Sequence, residues 1–270
     1  MPDLFFLAEC VLLGAFAGFA GGMLGIGGGV VIVPVLVLLL DARDLVAHAD
    51  VTRVAVATSL TTIVFSSFAA ARAQVQRGAV RWDIAKPWAP ALLAGSLAAG
   101  VLAGAVPSGA ARLFIGAFLL LVSVIMLASW SPAPHRQLPG TAGSLAIGGV
   151  AGMVSGFAGI GGGNVIVPSL VYFNVPIHQA SATASALAVP IAFFGALGYV
   201  FAQTGATAMP ALSLGYVYLP AAAAIVVTSV LTAPLGVAAA HKVPAAKLKR
   251  LFGAFVGLAA LRMLYSAIAA

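Results

Sequence analysis

Two runs of glycine are the residues of this sequence best suited to handle a substrate. Gly25-Ile26-Gly27-Gly28-Gly29 recurs as Gly159-Ile160-Gly161-Gly162-Gly163, 134 positions later in a chain of 270, and Pro34 recurs as Pro168. Consecutive glycines break a helix, each costing roughly 1 kcal/mol against alanine. Both runs nevertheless lie inside apolar sequence. In hydrocarbon an irregular backbone persists only where protein buries it or where it lines a watery cavity. A helix that restarts just after such a break points free N–H groups and the positive end of its dipole at the gap, and an anion fits there. Gly25, Gly27, Gly28, Gly29, Gly159, Gly161, Gly162 and Gly163 are therefore candidate substrate-binding residues. The competing reading is that they only let helices touch. Neither run has the Gly-x-Gly-x-x-Gly or Gly-Lys-Ser/Thr signature of a nucleotide site.

Hydroxyls form a second constellation. With Leu60 aligned on Leu187, Thr58 and Ser59 answer to Ser185, and Thr183 lies half a turn earlier. Turned into a helix bundle, they would donate to oxyanion oxygens without adding charge; a bond back to their own helix is the competing use. Asn164 directly follows the second glycine run, where the first has Val30, and a buried amide must find a partner.

Absences narrow the chemistry. All six acidic residues lie within the first 83 positions, and no pair of them is placed for a proton or cation relay inside a membrane. Glu9 and Arg262 can snorkel to an interface. His48 and His178 fall in loops, as solvated histidines usually do. The single Cys10 excludes an intrachain disulfide and offers no metal cluster. Serine or cysteine catalysis lacks its partners, so no enzyme, metal or cofactor is expected.

These residues sit in an exceptionally apolar chain. Hydrophobic residues make up 62% and charged residues 7%, with mean hydropathy +1.13, against roughly 25% charged in soluble domains. That composition defines an all-α integral membrane protein whose partner is the lipid bilayer. The net charge of +7 does not indicate nucleic acid, because the basic residues cluster in a few loops as the positive-inside rule describes. The start lacks the Lys or Arg of a signal peptide and reads as a retained first helix.

Apolar segments cover residues 4–19, 30–40, 54–71, 88–106 and 110–130, then 142–157, 165–173, 180–201, 214–240 and 251–269. The Pro-rich loop 131–141 separates an N-terminal repeat, 1–130, from a C-terminal repeat, 142–270. Segments 30–40 and 165–173 are short of the about 20 residues a crossing needs, so each either folds back as a re-entrant arm or completes a crossing from a submerged tip. Charge separates these cases. If the short arms fold back, loop positives divide five against seven. If they cross, nine (Arg72, Arg77, Arg81, Lys86, Arg136, Lys242, Lys247, Lys249 and Arg250) face three (Arg43, Arg53 and Arg112). The second division predicts two inverted five-segment repeats with short glycine-tipped helices and both termini outside. Gly14-x-x-x-Gly18 and Gly100-x-x-x-Gly104 are read as close helix contacts.

The duplicated Gly-x-Gly-Gly-Gly-x-x-x-x-Pro element, Ala57-Thr58-Ser59-Leu60 and Arg77-Gly78-Ala79-Val80-Arg81-Trp82 resemble the TauE/SafE family of sulfite and organosulfonate exporters. The resemblance spans essentially the whole chain. It implies a permease of the bacterial cytoplasmic (inner) membrane for small sulfur-containing anions such as sulfite, sulfoacetate or taurine-like sulfonates. Ala186 stands where the pattern has Ser in the second half. Substrate binding is expected near the midplane at the two glycine tips, with the halves rocking about it. A passive anion channel filtered by the tips and a permease for another small organic anion are the alternatives. The sequence leaves homo-oligomerisation, direction of transport and coupling ion open.

Overall fold

A computed structural model describes residues 3–25, 27–128, 138–202, 209–240 and 245–268, without the side chains of Leu24, residues 245–249 and Ile268. Most of the loop 131–141, including Arg136, lies outside the described residues, as do Ile26, Lys242 and the side chains of Lys247 and Lys249. The described residues form ten helices and one short hairpin. The helices are α1 (Leu4–Leu24), α2 (Gly29–Asp41), α3 (Val51–Gln76), α4 (Trp82–Leu102) and α5 (Ser108–Leu127), then α6 (Thr141–Ala158), α7 (Gly163–Tyr172), α8 (Ile177–Phe201), α9 (Leu219–Ala239) and α10 (Ala245–Ile268). Strands β1 (Ser213–Leu214) and β2 (Val217–Tyr218) precede α9. Seven helices are long and apolar enough to cross a membrane: α1, α3, α5, α6, α8, α9 and α10. The shorter apolar helices α2 and α7 have 13 and 10 residues.

Helix α1 opens on Asp3, whose carboxylate accepts the Phe6 N–H at 2.8 Å, and closes on Gly25 in the left-handed region. Gly27 and Gly28 also have positive φ, +80° and +75°, which glycine adopts without strain. Three such residues within four positions reverse the chain. Gly28 comes to rest beside the Ala17 carbonyl, about two turns back along α1, and α2 starts there. It runs back to the end where α1 began, since Arg43, just past α2, pairs with Glu9 at 2.8 Å and Asp3 at 3.7 Å. The second copy repeats the device between α6 and α7 with Gly159 and Gly162, at φ +68° and +79°. Gly161 is outside the left-handed region, so the two tips share a sequence but differ in backbone.

Small residues set the packing. A Cβ on Gly14, Gly18 or Gly22 would overlap the backbone of α9 at Ile225, Ser229 or Ala233, so α1 and α9 lie backbone to backbone and run the same way. Gly148, Gly152 and Gly156 of α6 lie in the same manner against Trp88, Leu92 and Ser96 of α4. Gly100 and Gly104 meet Gly198 of α8 and Ala202 just past its end. The expected close contacts at Gly14, Gly18, Gly100 and Gly104 are thus present. Shifting every helix number by five maps α1 on α9 to α6 on α4, α2 on α3 to α7 on α8, and α9 on α3 to α4 on α8, while α3 on α8 and α5 on α10 map to themselves. In α5 and α10 the order is antiparallel: Gly116 meets Leu264, and the Ser123 hydroxyl donates to the Gly253 carbonyl at 2.7 Å.

One segment departs from the sequence expectation. Residues 214–240 read as a single apolar stretch, but Gly215, at φ +58°, turns a β-hairpin and Pro220 starts α9 only at Leu219. Strand β2 is buried while Leu214 of β1 is exposed, and the Tyr218 N–H donates to the Thr58 hydroxyl at 3.0 Å.

Candidate functional site

The two glycine tips meet. A Cβ on Gly29 would overlap the Gly159 carbonyl and press on Ile160, and one on Gly27 would stand 3.4 Å from the Gly161 Cα. The Ser59 hydroxyl, from the middle of α3, donates to the Gly159 carbonyl at 2.9 Å and ties the second tip to that helix. Gly25 abuts the Ser181 side chain near the start of α8, and Gly159 abuts Val33 of α2 and Val56 of α3. Each tip therefore reaches past the other toward the opposite end of the bundle, and α2 and α7 begin from the overlap.

Among the sequence candidates, the structure gathers Gly25, Gly27, Gly28, Gly29, Gly159, Gly161, Gly162 and Ser59 around this overlap, with Gly163 buried as the first residue of α7. The other hydroxyls have structural bonds. Thr58 accepts the Tyr218 N–H, and Thr183 accepts the Arg81 N–H at 3.0 Å where α4 begins. Ser185 donates to its own helix at Ser181, 3.0 Å away, yet its side of α8 faces the first tip. The Asn164 amide nitrogen is buried with no hydrogen-bond partner among the described residues.

Beside the first tip lies a cavity of about 10 Å³, the room of one water. Gly21, Gly27, Ser66, Ser67, Ser185 and Ala233 contribute to its wall, which carries no ionisable side chain; Asn164 is not part of it. Ser66 and Ser67 were not candidates from the sequence, although a signal existed: Thr58 and Ser59, Thr62, then Ser66 and Ser67 recur at four-residue steps and all are buried. The second tip has a different lining. A Cβ on Gly161 would press on Ala188 and Ile63, and one on Gly162 on Ile166 and Ile191. In the register that aligns Leu60 with Leu187, Phe193 and Phe194 replace Ser66 and Ser67.

Charge stays at the two ends. Where α1 starts, the Arg53 guanidinium pairs with Asp50 and donates to the carbonyls of Ala103 and Val106 at 3.1 and 2.8 Å, clamping α3 to the end of α4. Arg112 lies 3.4 Å from Asp41 and 3.2 Å from the His48 ring, and it reaches Thr52 and Ser266, near the end of α10. Arg72, Arg77, Arg81, Lys86 and Arg250 belong to the opposite end with a single acid, Asp83, which Arg81 holds at 2.6 Å. That carboxylate raises the pKa of the Arg81 guanidinium further above its ordinary value through their hydrogen bond.

An apolar bundle of this kind, with broken helices meeting inside it, defines a multi-pass membrane transporter. The family model described as "Sulfite exporter TauE/SafE" matches residues 10–263, and the chain belongs to that family. It is 34% identical over 259 residues to a probable membrane transporter protein of Haemophilus influenzae, covering 96% of this chain and 98% of that one. A probable membrane transporter protein of Methanocaldococcus jannaschii is 25% identical over 267 residues, with 97% and 96% covered. One from Bacillus subtilis is 30% identical over 194 residues, 64% of this chain and 70% of its own. These relatives are named as transporters and not as enzymes. No solved structure matches the chain.

Proposed function

We propose that this protein is a secondary transporter that moves a small sulfur-containing anion, sulfite or an organosulfonate, across the cytoplasmic membrane of a bacterium. The observation that carries the reading is the overlap of two broken helices beside a cavity lined by glycine, alanine and serine, without a charged side chain among the described residues. A site of that composition offers N–H and O–H donors and weak helix-dipole charge, which suits a singly charged oxyanion better than a dianion. The family description, sulfite exporter, supports the choice of sulfur oxyanions. A cavity of about 10 Å³ admits an anion of four or more heavy atoms only when the surrounding helices separate, which favours a carrier.

The two halves, 1–130 and 142–270, act in this reading as inverted repeats. The helix directions and the packing that repeats on a shift of five support it. The basic end faces the cytoplasm and both termini face outside. Alternating access is then a rocking of the halves about the tips.

A thermal-shift screen of the purified chain tests the substrate. Methanesulfonate or bisulfite is expected to raise the melting temperature, since a ligand at 100 times its Kd stabilises the folded state by about 2.7 kcal/mol. Equal or greater shifts with sulfate or with carboxylates would contradict the reading.

A further inference from the structure

We infer that Ser67 is a substrate-binding side chain of the site, donating its hydroxyl to an oxygen of the transported anion at the first glycine tip; this rests on the transport function proposed above. Ser67 is 3% exposed, and its Oγ has no hydrogen-bond partner among the described residues. A buried hydroxyl without a partner is destabilising, and nearly all such groups in folded proteins are satisfied. Its surroundings explain why this one is left over. The Oγ stands 3.3 Å from the position a Cβ on Gly27 would take, and the same cavity touches both residues. The hydroxyl is thus presented to the broken backbone at Gly27, where φ is +80° and a side chain would crowd the gap.

Its neighbours behave differently. Ser185 is bonded to Ser181 at 3.0 Å. Ser66 reaches the Ile63 carbonyl only at 3.5 Å, a bond long enough to exchange for a ligand oxygen by rotating one torsion. Ser67 therefore gives the first contact and Ser66 a second. Asn164 also carries an unpartnered donor, but it does not line this cavity. With neutral donors only, the site distinguishes anions by charge. A single negative charge spread over several oxygens is met by O–H and N–H groups, whereas the second charge of sulfate would be buried without compensation.

Isothermal titration of the full-length chain in detergent tests this, with methanesulfonate as the probe and sulfate as its doubly charged comparison. The unmutated chain should bind methanesulfonate more tightly than sulfate. Ser67→Ala should weaken methanesulfonate binding at least tenfold while leaving the melting temperature of the ligand-free protein unchanged or higher, because no bond within the protein is lost. Ser123→Ala provides the reverse pattern: its hydroxyl bonds the Gly253 carbonyl at 2.7 Å, so the melting temperature should fall and the affinity hold. Methanesulfonate affinity that survives Ser67→Ala, as it would if the hydroxyl served an ordered water alone, overturns the inference and leaves the transport reading standing. Failure of the unmutated chain to bind any sulfur oxyanion overturns both.

Discussion

Glycine has two uses in this molecule, and single residues of α6 separate them. The missing side chain of Gly152 is filled by the backbone of Leu92, whereas a Cβ on Gly149, one turn earlier, would meet nothing within 4 Å. Gly152→Ala is expected to lower thermal stability by about 1–3 kcal/mol through overpacking. Gly149→Ala should leave it equal or better, since alanine orders a helix at less entropic cost. Differential scanning calorimetry of both variants checks the contrast. The same distinction divides the tip. Gly28 presses on the Ala17 carbonyl, so it serves the chain reversal, while Gly27 faces Ser67 and the cavity. The sequence marks both glycines alike, because a run of glycines says where a helix breaks but not what each missing side chain makes room for. Thr58 and Thr183 were equally opaque: each accepts an N–H from a residue more than 100 positions away, Tyr218 and Arg81, and such partners leave no local pattern.

At the scale of elements, hydropathy located all ten helices but not their edges. Helix α4 begins at Trp82 with Asp83 and Lys86 in its first turns, so an apolar window starting at residue 88 missed its polar entry. The hairpin before α9 was hidden by its own hydrophobicity, though Gly215 and Pro220 were visible warnings. The broken arms were legible because consecutive glycines are too free in conformation to continue a helix, and α2 and α7 do start at Gly29 and Gly163. The charge division read each short arm as a crossing, and for α2 the return course shows in Gly28 beside Ala17 and Arg43 beside Glu9. With α6 parallel to α4 and Arg43 beside Glu9, the turn at Gly78 and the start of α6 fall at one end and Asp44 at the other. Single cysteines at Gly78 and Gly140, in a Cys10→Ala background, should resist an impermeant thiol reagent added to intact cells, and one at Asp44 should react. Labelling of Gly78 and Gly140 from opposite faces would contradict the inverted arrangement.

The whole molecule combines a duplicated apolar bundle, charge kept at its two ends, and an overlap of broken helices between them. Duplication and charge bias were readable because both are properties of the chain rather than of its folding. The overlap was not, since it needs the two tips, 134 residues apart, to pass one another and join through Ser59 and Gly159. In the proposed reading, such a design would hold a small sulfur oxyanion where both halves can release it. The most direct test is flux of radiolabelled sulfite into proteoliposomes that contain only this chain. Uptake that saturates and is competed by methanesulfonate but weakly by sulfate is the predicted result. No sulfite uptake beyond protein-free liposomes, or unsaturating flux accompanied by steady anion current, would contradict it.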